Sequence, residues 1–75
     1  MVHILVGQDS SGVFALLSFN EPPQLLEDSE ASTLFIVDAE SQNDAIIVAF
    51  SGCVVRGINP KNVTNLLKMR DAQPS

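Results

Sequence analysis

The sequence predicts an α+β fold, a small, mainly antiparallel sheet with two helices packed on one face, in the order β-β-β-α-β-α. Three observations carry this expectation. Residues 2–19 hold two apolar, β-branched runs on either side of Gln8-Asp9-Ser10-Ser11-Gly12, and a third apolar run follows at Leu34-Phe35-Ile36-Val37. Two helix-start signals come later, Ser41 with Asp44 three residues on, and Asn59 directly before Pro60. The 75 residues make a single domain, 1–75. A core of that size yields little net stability, so such chains commonly add disulfides, a metal or a second subunit. One cysteine excludes an internal disulfide, and one histidine beside it leaves no structural zinc set.

Val2-His3-Ile4-Leu5-Val6-Gly7 reads as the first strand and Val13 to Phe19 as its hairpin partner, with Asp9, Ser10, Ser11 and Gly12 as turn chemistry between them. Residues 20–32 form a long acidic connection. Pro22 and Pro23 remove two ladder donors, so no central strand passes through them. Connections of that length are usually functional or mobile. After the third strand, Ser41 to Gly52 reads as a helix with Ser41 as N-cap and Gly52 at the C-cap. Ala45, Ile46, Ala49 and Phe50 share one face of it. The β-branched Ile46-Ile47-Val48 supports a competing strand, which would turn the fold into a five-stranded small β-barrel with a C-terminal helix; the two-ended cap signal favours the helix. Cys53 to Ile58 is then the last strand. Asn59-Pro60 opens the second helix, with Val63, Leu66 and Leu67 as its apolar stripe and Lys68 and Arg70 near its negative end. Residues 72–75 read as a frayed tail.

The strands are apolar on both sides. Val2, Ile4 and Val6 oppose Leu5, the alternate residues Val13 to Phe19 oppose Phe14 and Leu16, and Phe35 and Val37 oppose Leu34 and Ile36. A sheet with one wet face alternates apolar and polar residues instead. Helices on one face leave the other to meet something else, so the expectation is a homodimer through Leu5, Phe14 and Leu16, or a partner protein on that face. The competing reading folds residues 20–32 back over that face with Leu25 and Leu26.

Charge is segregated along the chain. Residues 1–55 carry eight acids and no Lys or Arg, residues 56–75 carry a net +3, and the whole chain is −5. That balance argues against direct nucleic-acid binding, which works through phosphate neutralisation. It favours a basic protein partner, contacted by Glu21, Glu27, Asp28, Glu30, Asp38 and Glu40. The bland reading of the same charges is a solvated acidic loop facing the chain's own basic end.

No constellation for catalysis stands out. Cys53 follows Gly52 at the head of an apolar run and reads as a small core residue, since a nucleophile needs a base and an electropositive setting. His3 alternates with apolar neighbours on a strand and reads as structural. Asp38, Glu40 and Asp44 fail the calcium-loop pattern, with Asn43 where glycine is required and Ala49 where the bidentate Glu belongs. Gly7 to Gly12 lacks a phosphate-loop lysine and precedes a strand. No enzyme, cofactor or metal is expected. The start of the chain shows no signal-peptide pattern, and a free cysteine points to a reducing, cytoplasmic setting. The longest apolar run, Ala45 to Phe50, falls far short of the ~20 residues that span a bilayer, so no membrane contact is expected.

The order of elements, with Asp9-Ser10-Ser11-Gly12 in the first hairpin and Asp38 to Ala45 opening a helix after the third strand, resembles HicB-type antitoxin domains over residues 2–58. The Pro-Gly element common before that family's third strand is missing, and Pro22-Pro23 is not equivalent to it. In size and charge the chain is also similar to phage-encoded inhibitors. The expected function is therefore a small, acidic, non-enzymatic module that inhibits or regulates a basic, nucleic-acid-binding protein. The alternative is an assembly subunit that self-associates through an apolar sheet face.

Overall fold

The computed structural model describes residues 1–26 and 29–71. Three strands, β1 (Val2–Asp9), β2 (Gly12–Phe19) and β3 (Ser32–Ala39), are followed by helix α1 (Gln42–Val55), a 3₁₀ turn (Pro60–Asn62) and helix α2 (Leu66–Asp71). The sheet is antiparallel and open, in the order β2-β1-β3, so the α+β class holds and the barrel alternative does not.

β1 and β2 pair from Val2 with Phe19 to Asp9 with Gly12. Ser10 and Ser11 make the turn, and the Asp9 carboxylate accepts their strand-end amides, Ser11 N–H at 2.8 Å and Gly12 N–H at 3.2 Å. The positive φ the reversal needs falls on Gly12, at +131°. β1 and β3 pair from Val2 with Ala39 to Gln8 with Ser32, with a register shift between Val6 and Gly7. Gly7 is required there: a β-carbon would stand 2.8 Å from Cζ of Phe14 and 3.0 Å from the carbonyl oxygen of Ser32.

Ser41, in extended conformation, caps α1 by accepting the Asp44 N–H on its hydroxyl at 3.1 Å. The helix does not stop at Gly52. It ends in a Schellman arrangement, Ile58 N–H to the Cys53 carbonyl at 2.8 Å and Gly57 N–H to the Val54 carbonyl at 3.1 Å, with Gly57 left-handed at φ +75°. The strand expected over Cys53 to Ile58 is therefore absent, because Cys53-Val54-Val55 is the last turn of α1. The second helix also departs from expectation. Asn59 accepts the Lys61 N–H at 3.0 Å ahead of Pro60, but only one 3₁₀ turn follows. Thr64 then lies against the outer edge of β2, donating to the Val13 carbonyl and accepting from Ala15 N–H, both at 2.9 Å. This short parallel bridge covers part of an edge that would otherwise be open to pairing. Asn65, at φ +76°, turns the chain into α2. The tail at 72–75 lies outside the described residues.

One core layer joins the sheet to the helices. Val2, Ile4, Val6, Ala15, Phe35 and Val37 meet Ala45, Ile46, Ala49 and Cys53 of α1, together with Val63 and Leu66. The small side chains of Ala45, Ala49 and Cys53 let α1 close on β1 and β3. Leu66 is fully buried, and burying a side chain of that size stabilises by about 1.5–3 kcal/mol, enough to anchor a six-residue helix that would not form alone.

Candidate interaction surfaces

The register places most of the acidic residues at one end of the sheet. Phe19 and Ala39 both pair with Val2, so Glu21, Asp38 and Glu40 gather beside the start of β1, and Asp44 follows in the first turn of α1. All four are exposed. Among the described residues, Glu21, Glu40 and Asp44 form no ion pair. Glu30 sits at the opposite end, where it accepts from the Ser10 hydroxyl at 3.2 Å, so it does not join the others. Glu27 and Asp28 lie outside the described residues. Arg56 and Lys61 stand at the hairpin end, beyond the C-terminus of α1.

Ser18, His3 and Asp38 form one cross-strand row over β2, β1 and β3. His3 Nδ1 lies 2.6 Å from the Asp38 carboxylate. These are the residue types of a charge-relay triad, but they are not wired as one. The Ser18 hydroxyl donates to the Glu21 carbonyl at 2.6 Å, and His3 Nε2 is buried without a partner among the described residues. The row fixes the start of the β2–β3 connection to the sheet and offers no open nucleophile.

That row belongs to the sheet face turned away from the helices. Leu5 lies on it, outside the helix-side core, yet is only 1% exposed. Its cross-strand neighbours Leu16 and Ile36 remain 36% and 44% exposed. The β2–β3 connection starts beside β1, where Asn20 N–H donates to the Met1 carbonyl at 3.0 Å, and its residue Glu30 accepts from Ser10 of the hairpin turn. Pro23 and Leu25 are half-buried along it, and Leu26 points outward. Of the residues expected to self-associate, Leu5 is thus interior, Phe14 is half-buried against Gly7, and Leu16 keeps an exposed edge.

A larger apolar surface lies elsewhere. Ile47, Val48, Val54 and Val55 project from the outer side of α1. Sequence reasoning assigned the inner stripe of this helix and passed over the outer one. The signal was present in the unbroken run Ala45 to Phe50, since a helix that is apolar all round has more than one face to cover.

Cys53 is completely buried, and burial pushes its thiol above the ordinary value of 9.0 against a smaller lowering by Arg56. Among the described residues there is no cavity and no group of three His, Cys, Asp or Glu placed to hold a metal ion. No described helix is long and apolar enough to cross a membrane. No family model, curated protein or solved structure matches the chain.

Proposed function

We propose that the chain is a non-enzymatic protein-binding module that inhibits or regulates a basic, nucleic-acid-binding partner. The observation that supports this reading most directly is the gathering of exposed Glu21, Asp38, Glu40 and Asp44 at one end of the sheet, with Glu21, Glu40 and Asp44 unpaired among the described residues. Carboxylates held on strand ends and a helix start offer acceptors at fixed spacing, which arginine side chains bind well and which can stand in for phosphates. The chain would act in a cytoplasmic setting, as its free cysteine suggests.

The experiment is capture of binding proteins from an extract of the source organism, comparing the native chain with the Glu21→Lys/Glu40→Lys variant at moderate salt. Both substitutions are on exposed side chains, so the variant should keep its fold, checked by circular dichroism. Basic, nucleic-acid-binding proteins recovered with the native chain and lost with the variant are the expected result. Equal recovery by both would remove the acidic end from the function.

Exposed Leu16, Leu34 and Ile36 favour a second reading, an assembly subunit that self-associates through the sheet face. Its available area is smaller than the strand pattern implied, because Leu5 is already covered.

A further inference from the structure

The outer side of α1 carries an apolar stripe that none of the described residues covers. Ile47, Val48, Val54 and Val55 are 55%, 45%, 65% and 84% exposed. At about 3.6 residues per turn they share one arc of the helix with Ser51, opposite the buried Ala45, Ala49 and Cys53. The stripe does not suit solvent. β-Branched side chains are poorer helix formers than the Lys, Glu or Ala that usually fill a wet helix face, and Asp44 is the one charged residue in α1. In a helix Val and Ile keep essentially one rotamer, so little side-chain entropy is lost when they dock.

The pattern is symmetric about Ser51. The four aliphatic residues stand three and four positions before it and three and four positions after it. An isologous two-fold contact has this property, because a residue ahead of the axis meets the residue equally far behind it on the other copy. Crossing two copies of α1 antiparallel at Ser51 sets Ile47 beside the partner's Val55 and Val48 beside the partner's Val54. The small serine at the crossing lets the axes approach to ~8 Å.

Charge runs the same way. The N-terminal end of α1 is the acidic end of the molecule, with Glu21, Asp38, Glu40 and Asp44, whereas its C-terminal end carries Arg56 and, on the packed 3₁₀ turn, Lys61. Asp9 and Glu30 also lie toward the hairpin and offset these two cations, so that end is near neutral among the described residues. Antiparallel pairing keeps the two acidic ends apart and opposes the helix dipoles favourably, and a parallel pairing does the reverse. The four side chains expose on the order of 400 Å² of apolar surface, about half of the ~800 Å² per partner in a standard interface, with Asn43 and Asp44 at the rim.

We infer that this face of α1 is the contact of a homodimer, two copies of the chain packed antiparallel through Ser51. The inference goes beyond the acidic-end reading and is tested on the purified chain alone, so either can fail without the other.

The test is sedimentation equilibrium from micromolar to millimolar concentration on the native chain and on Val54→Glu, Leu16→Glu and Ser51→Cys. The native chain is expected to dimerise with concentration. Val54→Glu, at an exposed site, should keep the native circular dichroism spectrum and urea midpoint and remain monomeric throughout. Leu16→Glu should dimerise like the native chain, and Ser51→Cys should form a disulfide-linked dimer on mild oxidation, Cys53 being buried. A native chain monomeric at every concentration overturns the inference, as does a dimer that survives Val54→Glu or a Ser51→Cys chain that does not cross-link. Loss of the dimer in a folded Leu16→Glu chain, with Val54→Glu still dimeric, would assign self-contact to the sheet face instead.

Discussion

The Phe35 ring lies against the backbone of Gly52: a β-carbon at position 52 would stand 2.7 Å from Cε2 of the ring. Arg56 closes the ring from another side, its guanidinium carbon 4.2 Å from the centroid and its Nη1 donating to the Gly52 carbonyl at 3.0 Å. Gly52 thus serves close packing inside α1, four residues before the C-cap at Arg56.

Gly52→Ala should therefore destabilise the chain. In an ordinary helix interior the change gains about 1 kcal/mol. Here the added methyl meets a buried ring, and overpacking of that kind costs about 1–3 kcal/mol. Urea unfolding should show a lower midpoint for Gly52→Ala, and much of the loss should be absent when Phe35→Leu is the background. Equal losses in both backgrounds would mean that the ring is not the obstacle.

Gly57 is where the helix needs a glycine for its backbone. It sits at φ +75° and closes the Schellman turn on Val54. Gly57→Ala should cost about 1 kcal/mol, since left-handed conformation strains any residue with a β-carbon, and Gly57→Asn should cost less. For a domain this small, about 1 kcal/mol lowers the melting temperature by roughly 4–8 °C, which thermal unfolding by circular dichroism resolves readily. Identical melting temperatures for Gly57→Ala and the native chain would contradict the cap assignment.

These two glycines show where the sequence was legible and where it was not. Period and cap chemistry identified the hairpin, the third strand and the start of α1 at Ser41, because those signals are local. The end of α1 was misplaced because Gly52 and Gly57 look alike in sequence, although one is present for a ring from β3 and the other for a positive φ. The β-branched Val54-Val55 reinforced the error by suggesting a strand. The split of the C-terminal helix depends on Thr64 bonding to β2, a long-range pairing that Asn59-Pro60 could not announce. The expected acidic group was only partly brought together. Glu21, Asp38 and Glu40 meet because strand register decides it, and Glu30 goes to the far end for the same reason.

His3 offers a different kind of test. Its Nδ1 bonds exposed Asp38, and its Nε2 is buried with no partner among the described residues, a loss of about 1–3 kcal/mol for a desolvated polar atom. His3→Leu gives up the Asp38 bond and removes the orphaned nitrogen, so its urea midpoint should match or exceed the native one. His3→Ala gives up the same bond and opens a cavity, so its midpoint should fall clearly. If His3→Leu is as damaging as His3→Ala, the bond to Asp38 carries the site.

Cys53 sets an alkaline limit on stability. Its thiol is fully buried, and desolvation raises its pKa above 9.0, offset in part by the charge of Arg56. In the unfolded chain the thiol ionises at its ordinary value, whereas in the native chain it stays protonated to higher pH. The native state then holds a proton that the unfolded state has released. Its contribution to stability is complete below 9.0 and is lost as pH rises from there through the native value. The chain contains no tyrosine, so one common alkaline titration does not overlap this window. Urea midpoints measured from neutral pH to above 9 should decline more steeply for the native chain than for Cys53→Ala, whose own midpoint is lower but should vary less with pH. Labelling of the thiol by a soluble reagent at mildly alkaline pH should be slow in the native chain and accelerate with urea in step with unfolding. Rapid labelling without urea would place Cys53 at the surface and remove the basis for the alkaline decline.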